Sequence, residues 1–115
     1  MAFRRFDAFP VSIDESIGTG TCVSNAVTIN KNVCLITTES LTTAAGASQA
    51  IALTNSEIGS TAALLVTQNG GTDTDGSLEI KAVPGSGSAT ITLTNRHASA
   101  AFNGTFILAV MVIKP

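Results

Sequence analysis

The sequence predicts an all-β protein: a single antiparallel β-sandwich, jelly-roll-like, with an extended N-terminal arm. Three observations lead there. After about residue 20, apolar residues recur with period two, the spacing that puts them on one face of a strand. Clusters of Gly, Asn, Asp and Pro cut these runs into short segments at regular spacing. β-branched residues are enriched along the runs, as a pleated surface prefers. A chain of 115 residues suits one domain. We place the arm at residues 1–19 and the sandwich at residues 20–115.

The arm holds "FRRFDAF", residues 3 to 9, with three of the five Phe and two of the six basic residues. On a strand Phe6 would point away from Phe3 and Phe9. On a helix the three would drift by about 60° per step. In polyproline II, with three residues per turn, they align on one ridge. Pro10 steers Phe9 toward that extended conformation. Arg4 and Arg5 then lie off the ridge, beside Asp7. Two surfaces are open to the ridge: the base of the chain's own sandwich, or a groove on a partner whose acidic groups pair with the arginines. Aromatic and Arg anchors dominate interface energetics. Phe3, Arg4, Arg5, Phe6 and Phe9 are therefore the candidate partner-contacting residues.

Along the sandwich, "LTTAAGASQAIAL" (41–53) reads as a strand, a turn at Ala45-Gly46 and a second strand, because Gly46 and the paired Thr residues weaken a helix. "AIALT" puts Ile51 and Leu53 on one face. "AALLVTQ" (62–68) is followed by the polar stretch "NGGTDTDG" (69–76), read as a hairpin loop. "SLEIKA" turns Leu78 and Ile80 inward, with Glu79 and Lys81 outward. "PGSG" (84–87) is a turn. "ATITLT" (89–94) is the clearest alternation, with Ala89, Ile91 and Leu93 inward and Thr90, Thr92 and Thr94 outward. "NRHASAAFNG" (95–104) is a longer loop. The count is about seven or eight strands, typical of a sandwich.

The last segment, "GTFILAVMVIKP", has two apolar faces. One carries Thr105, Ile107, Ala109, Met111 and Ile113. The other carries Phe106, Leu108, Val110 and Val112. A two-layer sandwich buries one face of each strand, so something must cover the second. Phe106, Leu108, Val110 and Val112 are the candidates for a contact between subunits. A loop or arm of the same chain is the other reading.

The composition excludes several functions. A net charge of −2 lacks the basic footprint of a nucleic-acid binder. No apolar run reaches the roughly 18 residues of a membrane span, and "MAFRRFDAFPVSIDES" lacks the apolar core of a secretory signal. Only 12% of residues are charged, and such a surface readily becomes interface. Cys22 and Cys34 are either two buried thiols on strands or a disulfide between neighbouring strands.

Catalytic patterns are missing. The single histidine, His97, has no nucleophile elbow to serve and reads as a solvated loop residue or a polar contact beside Arg96. Asp73, Asp75 and Gly76 fall at positions 3, 5 and 6 of a calcium loop. Positions 1 and 12 would then be Gly71 and Ala82, which supply no side-chain ligand. "VPGSGSAT" lies between strands, where no helix N-terminus can hold a phosphate. No Trp or Tyr is present to stack on a sugar. No enzyme activity, cofactor or metal is expected.

From Ile36 onward the chain reads "ITTESLTTAAGASQAIALTNSEIGSTAALLVTQNGG", then "GSATITLTN" and "FNGTFILAVMVI". This texture of Thr/Ala/Gly-rich strands, a strand end "LTN" used at 53–55 and 93–95, and an apolar last strand resembles small virion proteins of tailed bacteriophages. The likeness is to the small β-sandwich capsid decoration, or cement, proteins, and covers about two thirds of the chain. It brings no catalytic or ligand motif, so no functional residue carries over. It implies a homo-oligomer, a trimer by preference, made in the host cytoplasm and seated on the icosahedral head. There it would bind the major capsid protein and bridge neighbouring coat subunits. Tail and head-fibre modules use similar sandwiches, so a module binding a host receptor or glycan is the alternative.

Overall fold

The computed structural model describes residues 17–114. These form ten strands: β1 (Ile17–Thr21), β2 (Ala26–Thr28), β3 (Val33–Thr37), β4 (Leu41–Thr43), β5 (Ser48–Thr54), β6 (Ala63–Gly71), β7 (Leu78–Gly85), β8 (Ser88–Asn95), β9 (Phe102–Gly104) and β10 (Phe106–Ile113). Six correspond to runs read as strands in the sequence: β4, β5, β6, β7, β8 and β10. Of the other four, β1 falls largely within the stretch assigned to the arm, β3 is not singled out there, and β2 and β9 are only three residues long, too short for a periodic signal. The first strand begins at Ile17, so the sandwich starts ahead of the boundary expected at residue 20.

Two four-stranded sheets face each other, in the orders β1-β3-β10-β6 and β2-β5-β8-β7, and the pair β4-β9 forms a third, small sheet. We call the first two sheet A and sheet B. The antiparallel expectation holds for most pairs but not for β1–β3 or β2–β5, which are parallel. The cause is connectivity. The chain leaves β1 in sheet A, passes through β2 in sheet B, and returns to β3. Such a crossover brings β3 back in the direction of β1.

Sheet B shows the alternation at its plainest. Ile51, Leu53, Ala89, Ile91 and Leu93 are buried. Between them Thr28, Ala52, Thr54 and Thr90 stand exposed on the outer face. Each aliphatic side chain fully buried in this way contributes roughly 1.5–3 kcal/mol. The central pair has a local two-fold. Ser48 faces Thr94, Ile51 faces Ile91 and Thr54 faces Ser88. Rotation about the Ile51–Ile91 pair carries "SQAIALTN" (48–55) onto "SATITLTN" (88–95), which share Ser, Ile, Leu, Thr and Asn at matching positions.

That symmetry explains the doubled "LTN". Asn55 and Asn95 sit at opposite ends of the pair, both fully buried. Asn55 Nδ2 donates to the Lys31 carbonyl at 2.7 Å, and its Oδ1 accepts from Glu57 N at 2.9 Å. Asn95 Nδ2 donates to the carbonyls of Thr43 and Ala100 at 3.0 and 2.9 Å, and its Oδ1 accepts from Ser77 N and His97 N, both at 3.0 Å. Each amide closes a turn two residues on and ties a crossing segment to the strand end.

The inner face of β1 needs glycine. A Cβ on Gly18 would stand 2.5 Å from Ile29 Cγ2, and one on Gly20 would stand 2.7 Å from Val27 Cγ2. The missing side chains let the two layers close at this edge. At the far end Phe102 and Phe106 plug the core, ring centroids 4.8 Å apart in an edge-to-face pair at 73°.

"NGGTDTDG" is not a hairpin loop. Its first three residues continue β6, and the rest crosses from sheet A to sheet B. The crossing is pinned by Thr72 N and Asp73 N donating to the Thr105 carbonyl and by a bridge between Thr74 and Asn103. Within "PGSG" the turn is Ser86-Gly87, with φ of 75° at Gly87, while Pro84 and Gly85 finish β7. Pro84 occupies β7, an edge strand, where a missing N–H is tolerated.

Candidate functional site

The chemical candidates are absorbed by structure. His97 Nδ1 accepts from Ser99 N at 3.0 Å and Ala100 N at 2.8 Å, so its ring closes the turn it sits in. Arg96 turns away to Glu79, with Nε 2.6 Å from Oε1. Asp73 Oδ1 accepts from Gln68 Nε2 at 2.6 Å, so one oxygen of that carboxylate is paired within the segment. Among the described residues, no three His, Cys, Asp or Glu side chains converge as metal ligands.

Cys22 and Cys34 are free, buried thiols. Cys34 lies on β3; Cys22 follows the end of β1 rather than lying on a strand. Burial pushes both above the ordinary thiol value of 9.0. For Cys22 the nearby Glu39 carboxylate adds to the effect. For Cys34 the Asn55 amide, donating to the sulfur at 3.3 Å, partly offsets it. Glu39 has a further task. Its two oxygens accept from Ser24 N at 3.1 Å and Asn25 N at 2.7 Å, holding a turn in which both residues have positive φ.

The last strand corrects an expectation. β10 lies inside sheet A, between β3 and β6. Phe106, Leu108, Val110 and Val112 are at most 7% exposed and form the core, so they make no contact between subunits. The opposite face of β10, with Ala109, Met111 and Ile113, points outward. The arm residues Phe3, Arg4, Arg5, Phe6 and Phe9 lie outside the described residues.

The outer face of sheet A carries the candidate site. Strand partners share a face, so the register reads off its rows. Ile17 pairs with Val33, Val33 with Met111, and Met111 with Leu65: one apolar row across all four strands. The next row is Thr19, Leu35, Ala109 and Thr67. Ile17, Met111, Ile113 and Leu65 are exposed at 39, 38, 44 and 57%. An open trough of about 410 Å³ runs between β3, β10 and β6, lined by Val33, Leu65, Val66, Thr67, Ala109, Val110 and Met111. None of these is charged.

Only the β10 part of this face was legible as a second apolar surface. The signal for the rest was present: "VCLI" in β3 and "ALLV" in β6 are continuous apolar runs, the mark of strands covered on both sides. Comparison of the chain with protein-family models, curated proteins and solved structures finds no match.

Proposed function

We propose that this is a structural virion protein, a capsid decoration protein that binds the phage head through the outer face of sheet A and has no catalytic role. One observation carries the reading: an uncharged apolar row spans every strand of a sheet whose other face already makes the core. Soluble proteins rarely leave such a surface bare, and one that does usually docks there. The scarcity of charge elsewhere suits a protein packed among neighbours on a shell. The texture shared with small β-sandwich cement proteins supplies the partner class, the major capsid protein, and the preference for a trimer.

The test is co-sedimentation of the purified protein with capsids of the phage that encodes it. The native chain should pellet with capsids, and Leu65→Glu and Met111→Glu should lose most of that binding while remaining folded. Equal pelleting by both variants would remove the face from the reading. Specific sugar binding on a glycan array, without capsid binding, would favour a fibre module instead.

A further inference from the structure

We infer that β6 is a site of self-association. Two copies of this chain pair their β6 strands antiparallel about a two-fold axis at Val66, joining two copies of sheet A into one eight-stranded sheet. The inference goes beyond the docking reading and concerns an edge rather than a face. Being two-fold, it takes the place of the trimer preferred on resemblance alone.

The edge follows from the register. At the two ends of the β3–β10 ladder, Thr38 N donates to the Phe106 carbonyl and Val112 N to the Asn32 carbonyl. Even-numbered residues of β10 thus bond toward β3, and odd-numbered ones toward β6. The partners of the odd-numbered ones include Ala63, Leu65 and Thr67. The N–H and C=O groups of Leu64, Val66 and Gln68 therefore point away from β10, off the end of the sheet. Among the described residues no backbone group bonds to them.

β6 is also the edge without protection. β7, at the end of sheet B, carries Glu79, Lys81 and Pro84, and β2 is three residues long. Charge, proline and shortness are the usual bars to strand addition. β6 runs for nine residues with none of them, and residues 58–72 contain no charge. Its regular part is residues 63–68, because Asn69 is passed over in the pairing with β10 and makes a bulge.

The core is open on the same side. Among the described residues six hydrophobics pack on the core without being fully covered, and five of them, Leu64, Val66, Leu78, Ile80 and Ala82, lie on β6 and β7. A strand that extends this side has to be uncharged and apolar on both faces. β6 itself answers that description, with Leu64 and Val66 on its inner face and Leu65 on its outer one. A second copy of β6 is therefore the fitting occupant, and antiparallel pairing of a strand with its own copy closes at two. One register uses all three free residues: Val66 opposite the partner's Val66, Leu64 opposite its Gln68 and Leu65 opposite its Thr67. No two charges face each other across this pair. On the outer face the two apolar rows run on into one another through Leu65.

The test uses the full chain without capsids. At NMR concentration it should sediment with twice the mass of one chain. The amides of Leu64, Val66 and Gln68 should be protected from hydrogen exchange although β10 does not bond them. Val66→Pro removes an N–H that the single chain leaves unused, so β6 should stay on β10 while the pair is lost. In that variant the Leu64 and Gln68 amides should exchange at least about tenfold faster, with those of Leu65 and Thr67 still protected. A second pair of variants reads the contact by charge. In the proposed register the two Thr67 side chains lie diagonally, about 7–8 Å apart. Thr67→Lys and Thr67→Glu should each pair more weakly than the native chain, and an equal mixture of them should pair more tightly than either alone.

A monomer at that concentration overturns the inference, as does fast exchange at Leu64, Val66 and Gln68 in the native chain. So does a dimer that Val66→Pro retains, which puts the contact elsewhere, or a three-fold mass, which restores the trimer. A charge mixture no tighter than its components overturns the register and the inference with it. Capsid co-sedimentation is scored separately. A native dimer that does not bind capsids removes the docking reading and leaves this one; a monomer that binds them does the reverse.

Discussion

The two outer faces of the sandwich are built from the same backbone geometry and opposite chemistry. On sheet B the strands alternate: Ile91 and Leu93 go in, while Thr90 goes out and Ser48 Oγ bonds Thr94 Oγ1 across the strands at 2.8 Å. On sheet A the alternation is apolar against apolar. Leu108 and Val110 go in, while Ala109 and Met111 go out. A sheet that faces water needs only the first pattern. The second pattern is the one found on strands covered on both sides, and it sets the more apolar outer face of the molecule apart from its more polar one.

The comparison is broken most forcefully at the inner faces, where the two sheets should behave alike. Leu93→Ala in sheet B and Leu108→Ala in sheet A remove fully buried side chains, so each should cost about 2–5 kcal/mol in denaturant unfolding. A small effect in one sheet alone would mean that sheet is not part of a common core.

The amide staples come next. Asn95→Ala strands two carbonyls and two N–H groups, and Asn55→Ala strands fewer. With about 1–3 kcal/mol for each buried group left unpaired, Asn95→Ala should destabilise by about 2–4 kcal/mol and Asn55→Ala by less. The reverse order in thermal unfolding would contradict these bonding assignments.

Smaller still is the effect on the outer faces. Leu65→Thr makes sheet A resemble sheet B there, and Thr90→Leu does the opposite. Each should change folding stability by about 1 kcal/mol or less. Dye binding should respond in opposite directions, falling for Leu65→Thr and rising for Thr90→Leu. Equal dye binding by the two variants would erase the distinction between the faces.

The thiols give the mildest prediction. Both are held protonated by burial, so the folded values lie above those of the unfolded chain. Unfolded thiols ionise first as pH rises, so the unfolded state then binds fewer protons and stability falls. Stability should be independent of these thiols below pH 9.0 and decline above it. Replacing both Cys with Ala should flatten that alkaline decline. Native protein should also resist thiol reagents until it unfolds.

How much of this was readable in the chain varies by region. Strands β5, β7 and β8 announce themselves, because half of each faces water and the alternation survives. The turn at Gly46, with φ of 80°, and the one at Gly87 are equally plain. By contrast β2 and β9 are fixed by partners far along the chain, such as β9 pairing β4 from Phe102–Thr43 to Gly104–Leu41. Cys22, Glu39 and Asn95 acquire their roles from segments that only the fold brings near.

Period two by itself determined that this chain makes strands, where most of them lie, and which residues of β10 share a face. It could not say which of the two β10 faces is the core, because both are apolar and a hydropathy pattern is blind to the swap. The tertiary structure decided that by seating β10 between β3 and β6. Phe106, Leu108, Val110 and Val112 meet the opposite sheet, and Met111 joins Ile17, Val33 and Leu65 outside. A face becomes inner or outer only when its neighbours are in place, and those neighbours, β3 and β6, lie far earlier in the chain.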